Sequence, residues 1–347
     1  MNETIGNITG GVDTHKDNHV AAALDSLGGV LGTATFPATR KGYMALLAWL
    51  RSFGTIVAVG VEGTGSWGVG LARFLATAEI TVIEINCPDR RARRRHGKND
   101  TVDAIAAARA VLSGDASSIP KTADGNVECI RLLRVARRSA IRARTQAANQ
   151  FQSIVDTAPD ELRAEMSASR GRNRFIKAAR FHAPASMSPR AAAKIALCAI
   201  ARRWIALDAE IHAFDVHLRT LIKETAPGLV ARHAVGPDTA GALLVAAGDN
   251  PERLRNEASF ASLCGVSPVE ASSGRTNRHR LNRGGNREAN AALWRIVLVR
   301  MNSEERTKRY VERRTTEGLS KIEIMRCLKR YVAREIYRDL LAIVVSV

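Results

Sequence analysis

The chain has 347 residues, with 52 Lys and Arg against 34 Asp and Glu and a formal net charge of +18. A hydrophobic share of 46% excludes wholesale disorder, and the length accommodates two or three domains. A cationic surplus of this size points to a polyanionic partner, with nucleic acid ahead of a membrane surface.

In chain order, the first 122 residues alternate strand-like and helix-like patterns. Gly11-Val12-Asp13 opens an extended run that continues through His19–Leu24, and Ser26, Gly28 and Gly29 separate it from Val30–Phe36. Three runs joined by short turns predict an antiparallel meander. A helix follows over Gly42–Phe53, with Tyr43, Leu46, Leu47 and Leu50 on one face. Ile56–Val61 is almost wholly apolar, as a buried parallel strand should be. A helix (Trp67–Ala78), a strand (Ile80–Ile85) and a helix from about Asp100 complete the order of a ribonuclease H-like α/β domain.

Residues 123–226 read as an Arg-rich helical region, in which Ile130, Leu133, Ala140, Ala147, Phe151 and Ile154 trace a rough heptad seam. Arg137 and Arg144 interrupt it, so a coiled-coil linker and a packed helix with a basic face are both open readings. Arg134, Arg138 and Arg142 share one helical face by their four-residue spacing and are candidate nucleic-acid contacts. Residues 227–347 read as a mainly α-helical C-terminal domain. Ala234–Leu244 looks like half of a helix-hairpin-helix, whose turn amides face a phosphate. The tail from Lys321 is an amphipathic helix with Ile324, Leu328, Val332 and Ile336 inward.

Other classes fall away. No run approaches the roughly 20 apolar residues of a membrane span, and the N-terminal sequence carries no visible secretory signal. The five cysteines form no CxxC pair, which leaves neither a disulfide framework nor a zinc site and fits reduced thiols in a cytoplasmic protein.

Four carboxylates stand out by context. Asp13 lies on the first strand, and Glu62 ends the buried apolar run in Val61-Glu62-Gly63, where an unpaired charge is costly. Asp100 and Asp103 follow at i,i+3 spacing on one helical face. Oxygen-only ligands of this kind suit Mg²⁺ or Mn²⁺. Each also has a structural reading: Asp100 as an N-cap, Asp103 as a first-turn charge, Asp13 as a strand end with Asp17 competing for its role.

Just before this pair stand Arg90, Arg91, Arg93, Arg94, Arg95 and Lys98, a run that would hold a phosphodiester backbone by charge alone. Far downstream, Ser272-Ser273-Gly274 precedes Arg275, Arg278, Arg280 and Arg283, so a serine there is a candidate phosphate ligand or nucleophile, or an ordinary turn.

Together these motifs resemble the DEDD transposases of the Insertion Sequence 110 family, relatives of the Piv DNA invertase. The matching residues are Gly11-Val12-Asp13 with Lys16, Glu62 in VEGTG, Lys98-Asn99-Asp100 with Asp103, Gly265 and Pro268 leading to Ser273-Gly274, and Gly285-Asn286. The resemblance implies a RuvC-like domain whose Asp13, Glu62, Asp100 and Asp103 bind Mg²⁺ or Mn²⁺, a linking coiled coil, and a transposase domain with a nucleophilic serine. That serine directly precedes Gly and maps to Ser273, with Ser272 adjacent. Implied partners are double-stranded DNA, a structured bridge RNA as guide and further copies of the chain. Some 170 residues separate Asp103 from Ser273, so folding or oligomerisation has to assemble such a site. Two other readings compete: a metal-dependent junction nuclease that uses water, and a non-catalytic nucleic-acid-binding protein.

Overall fold

A computed structural model describes residues 6–85, 99–182, 186–274, 279–280 and 282–342. The chain divides into two compact units, Met1–Thr122 and Ala123–Val347.

The first unit holds β1 (Asn7–Thr14), β2 (Asn18–Asp25), β3 (Val30–Pro37), α1 (Arg40–Arg51), β4 (Thr55–Glu62), α2 (Val69–Thr77), β5 (Val82–Ile85) and α3 (Asp100–Leu112). The sheet runs β3-β2-β1-β4-β5, antiparallel across the first three strands and parallel from β1 through β4 to β5. The predicted meander and the two strand-helix units are therefore present, and the mixed sheet fits the ribonuclease H-like order.

Side-chain alternation divides the sheet into two faces. Val12, Val59 and Val61 join Leu46 and Leu50 of α1 and Leu71 and Leu75 of α2 in one core. Each such buried aliphatic side chain contributes about 1.5–3 kcal/mol. On the opposite face, Ala22 and Leu24 pack against Ala104 and Ala108 of α3. Here the helix backbone rests on the strands themselves. A Cβ on Gly11 would lie 2.2 Å from the Ala104 carbonyl oxygen, and one on Gly60 would lie 2.9 Å from that of Ala107. The glycines of β1 and β4 thus act by having no side chain, and they bring α3 down onto the sheet.

The second unit is helical apart from a two-stranded ribbon. It begins with α4 (Asn126–Thr157), α5 (Asp160–Ser167), α6 (Arg172–Ala178) and α7 (Pro189–Thr225). The long helices α4 and α7 run antiparallel: Ile130 meets Leu218 and Ile222 at one end, and Phe151 and Val155 meet Leu197 and Ala201 at the other. Arg137 and Arg144, which break the apolar seam, pair across it with Asp215 (2.7 Å) and Asp208 of α7. At the far end α5 and α6 close over the pair, with the Phe175 ring stacked on Trp204 at 4.2 Å.

The remaining helices are α8 (Pro227–Val230), α9 (Pro237–Ala247), α10 (Glu257–Leu263), α11 (Arg287–Ser303), α12 (Glu305–Thr316) and α13 (Lys321–Ala342). The ribbon β6 (Val269–Glu270) and β7 (His279–Arg280) lies between α10 and α11. Val127, Ile130, Leu218 and Ile222 share one core with Leu243, Phe260, Leu293 and Ile296. Ile324, Leu328, Val332 and Ile336 of α13 are all buried in it, as the amphipathic pattern predicts. α9 starts after Gly236 with no side-chain cap, and Asp238 in its first turn is held by Arg134 and Arg295. Among the described residues, no helix is long and apolar enough to cross a membrane.

Candidate metal centre and serine loop

Asp13 and Glu62 occupy the C-terminal ends of neighbouring parallel strands. The register pairs Val12 with Val61, so the two acids follow side by side. Alternation puts Asp13 on the face of Gly11 and Glu62 on the face of Gly60, the face covered by α3. Thr14 Oγ1 donates to the Glu62 carbonyl oxygen at 2.8 Å and ties the two strand ends together. The first turn of α3 then delivers Asp100 and Asp103 to the same place.

The helix cap lies one residue earlier than the structural reading supposed. Asn99, not Asp100, is the N-cap, and its side-chain oxygen accepts from the Thr101 amide at 3.0 Å. Asp100 is therefore not the cap, and both aspartates stand as acidic residues in the first turn of the helix. Asp17, the competitor of Asp13, is exposed in the β1–β2 turn, whereas Asp13 is 6% exposed.

His15 completes the cluster. Its Nε2 lies 3.2 Å from Asp13 Oδ2 and 3.2 Å from Asp100 Oδ2. That nitrogen is buried, yet it is in line with neither carboxylate for a hydrogen bond. One ligand atom from each of Asp13, His15 and Asp100 falls within 4.8 Å of the others. Burial pushes the Asp13 carboxyl up, His15 opposes this, and Asp100 and Asp103 add to the rise. A buried carboxylate with two more close by and an imidazole nitrogen beside it is a set of ligand atoms of the kind that can hold a divalent cation. Sequence reasoning passed over His15. The signal was its i,i+2 spacing from Asp13 in an extended run, which puts both side chains on one side of the chain.

The serine loop belongs to the second unit. Ser272 and Ser273 are exposed in the connection that leaves β6, and Gly274 follows at φ +56°, a left-handed conformation that suits glycine. Gly265 (φ +65°) and Gly285 cross so closely that a Cβ on Gly285 would lie 2.1 Å from the Gly265 amide nitrogen. Asn286 caps α11 through its side-chain oxygen, which accepts from the Glu288 and Ala289 amides at 3.0 Å each.

The candidate basic residues divide. Arg90, Arg91, Arg93, Arg94, Arg95, Lys98, Arg275 and Arg278 lie outside the described residues. Arg280 and Arg283 are exposed. On α4, Arg134 pairs with Asp238 and Glu288 and Arg138 with Glu288, while Arg142 is exposed.

A family model of the DEDD IS110 type, described as Transposase, matches residues 10–158, which contain Asp13, Glu62, Asp100 and Asp103. A second model, described as Transposase IS116/IS110/IS902 family, matches residues 230–312, which contain Ser273. The chain belongs to the IS110 family of transposases. An IS110-family relative from Streptomyces coelicolor, the insertion element IS110 uncharacterized 43.6 kDa protein, is 31% identical over 137 residues. That match covers 39% of this chain and 32% of the relative, so it spans about a third of the relative's length.

Proposed function

We propose that this IS110-family chain is a transposase that cleaves and rejoins DNA strands, with a divalent metal held by Asp13, Glu62, Asp100 and Asp103 and with Ser273 as nucleophile. The observation that carries the reading is the convergence of Asp13 and Asp100 on His15 Nε2 at the C-terminal edge of the sheet, with Asp103 close enough to raise Asp13. Ligands in open α/β sheets lie at that edge.

Asp13 and Glu62 project from adjacent strand ends and Asp100 and Asp103 from one helical turn, so four carboxylates are positioned by rigid elements. His15 Nε2 lies beside Asp13 and Asp100 and offers a further ligand atom next to theirs. Mg²⁺ or Mn²⁺ bound there supplies a Lewis acid for a scissile phosphate and charge compensation for the oxygens that attack and leave. Ser273 sits exposed beside a left-handed glycine, free to present Oγ to phosphorus. In the step proposed, the Oγ–P bond forms as the P–O3′ bond breaks. The Oγ proton is lost and O3′ gains one, which leaves a 5′-phosphoserine ester at one end of the cut strand and a free 3′-hydroxyl at the other. Reversal of the step with a different 3′-hydroxyl rejoins the strands. The family resemblance further supports a bridge RNA as guide, action as a homo-oligomer, and a cytoplasmic, nucleoid-associated setting in a prokaryote.

The test is a recombination assay with the element's own ends and RNA. Asp13→Ala and Glu62→Ala each abolish strand cleavage, and Ser273→Ala abolishes the covalent protein–DNA adduct while Ser272→Ala retains it. An adduct that survives in Ser273→Ala but not in Ser272→Ala moves the nucleophile by one residue. Cleavage that survives in both points to a nuclease that uses water.

A further inference from the structure

Lys329, on α13, is 8% exposed. Its Nζ donates to Asn290 Oδ1 at 3.0 Å, a neutral acceptor. Burial holds the ammonium below its usual range, and the neighbouring Arg326 pushes in the same direction. A buried cation without an acid works against folding, and an anion brought to it would offset that cost.

The surroundings are built to receive an anion. Lys329 lines a cleft of about 610 Å³ between the starts of α11 and α13, and Arg283, Arg287, Lys321 and Arg326 line it too. No acidic side chain is among the described residues of that lining. The wall between them carries the Trp294 ring, 43% exposed, in reach of a base or sugar. The floor is fixed: Asn290 Nδ2 donates to the carbonyl oxygens of Cys264 (2.9 Å) and Gly265 (3.2 Å). Asn290 therefore ties Lys329 to the Gly265–Gly285 crossing, and the chain leaving Gly265 leads to Ser273.

We propose that this cleft binds a backbone phosphate of nucleic acid, with Lys329 as its buried charge and Arg326, Lys321, Arg283 and Arg287 around it. The choice of nucleic acid as the source of the phosphate rests on the transposase reading. The anion site itself rests on the unmatched lysine and the acid-free lining.

The experiment uses the full chain without divalent metal, so it is independent of metal-dependent chemistry. Lys329→Gln keeps a donor for Asn290 and removes the charge. Arg338→Gln, an exposed residue of α13 outside the cleft, is the charge-matched control. Inorganic phosphate is expected to raise the unfolding temperature of the unaltered protein and of Arg338→Gln but not of Lys329→Gln. For a duplex DNA and a duplex RNA of one sequence, the slope of log affinity against log salt drops by about one in Lys329→Gln, the signature of one lost phosphate contact. The arm that loses the contact identifies the nucleic acid. If Lys329→Gln itself unfolds early, Lys329→Arg decides: restored phosphate stabilisation and salt slope support the site, and their continued loss overturns it. Equal phosphate stabilisation of Lys329→Gln and the unaltered protein, or unchanged slopes on both duplexes, also overturns it.

Discussion

Among the described residues, the C-terminal helical unit buries two cations and treats them in opposite ways. Arg300 of α11, 6% exposed, donates to Glu335 Oε2 at 2.7 Å and to the His233 carbonyl oxygen at 3.2 Å. Arg232 shares Glu335 at 2.6 Å and also pairs with Asp339. Burial alone would raise the Glu335 carboxyl, yet Arg300 and Arg232 together hold it below its ordinary range. Lys329 is buried to the same degree and has only an amide oxygen. Burial therefore does not separate a structural cation from one kept for a ligand. The presence of an acid does. The largest expected effect follows from this contrast: Arg300→Met leaves Glu335 half paired and costs about 3 kcal/mol in urea unfolding, whereas Lys329→Gln is close to neutral. A comparable loss in both variants would erase the distinction.

The same test divides the arginines of α4, which look alike along the sequence. Arg134 Nη1 donates to the Asp238 carbonyl oxygen at 2.7 Å and to its Oδ1 at 2.9 Å, with the arginine side chain 13% exposed. Burial by itself would raise the Asp238 carboxyl, but Arg134 and Arg295 outweigh it and keep the acid depressed. Such a group stabilises the fold above its unfolded pKa of about 3.9, and the contribution is lost as pH falls through the lower folded value. Arg134→Ala is expected to cost about 2 kcal/mol at neutral pH. The gap from the unaltered protein should narrow below about pH 4 as Asp238 is protonated in both. A gap that stays constant through acid unfolding would mean that Arg134 acts by packing and not through Asp238.

Much of the first unit was legible in the sequence because its signals are local. The meander shows in Ser26, Gly28 and Gly29, β4 in the apolar run Ile56–Val61, of which residues 58–61 are buried while Val57 is exposed, and the four carboxylates in their strand-end and helix-start positions. What the pattern could not show depends on contacts remote in sequence. Gly11 and Gly60 read as parts of strands, but their meaning is the close approach of α3, at Ala104 (93 residues after Gly11) and Ala107 (47 residues after Gly60). The cap at Asn99 required the backbone conformation at the helix start. Arg137 and Arg144 looked like faults in a heptad seam until Asp215 and Asp208 were brought opposite them. Lys329 is one lysine in a basic amphipathic helix by sequence, and only its depth and the missing acid make it distinct.

The smallest effect sharpens the comparison most, because it separates paired from free charge on one helix. Arg137 and Asp215 are each partly exposed, with side chains at 24% and 32%. A double-mutant cycle on them should give a coupling of about 0.5–1 kcal/mol. Arg142 is exposed and pairs with no acid among the described residues, so Arg142→Ala should leave stability unchanged within about 0.5 kcal/mol. If nucleic acid lies along α4, the same variant lowers the salt slope of binding, while Arg137→Ala, its charge already answered by Asp215, does not. Equal losses of slope at both positions would show that ion pairing within the fold does not silence an arginine toward phosphate, and the division drawn between the equally buried Arg300 and Lys329 would lose its basis.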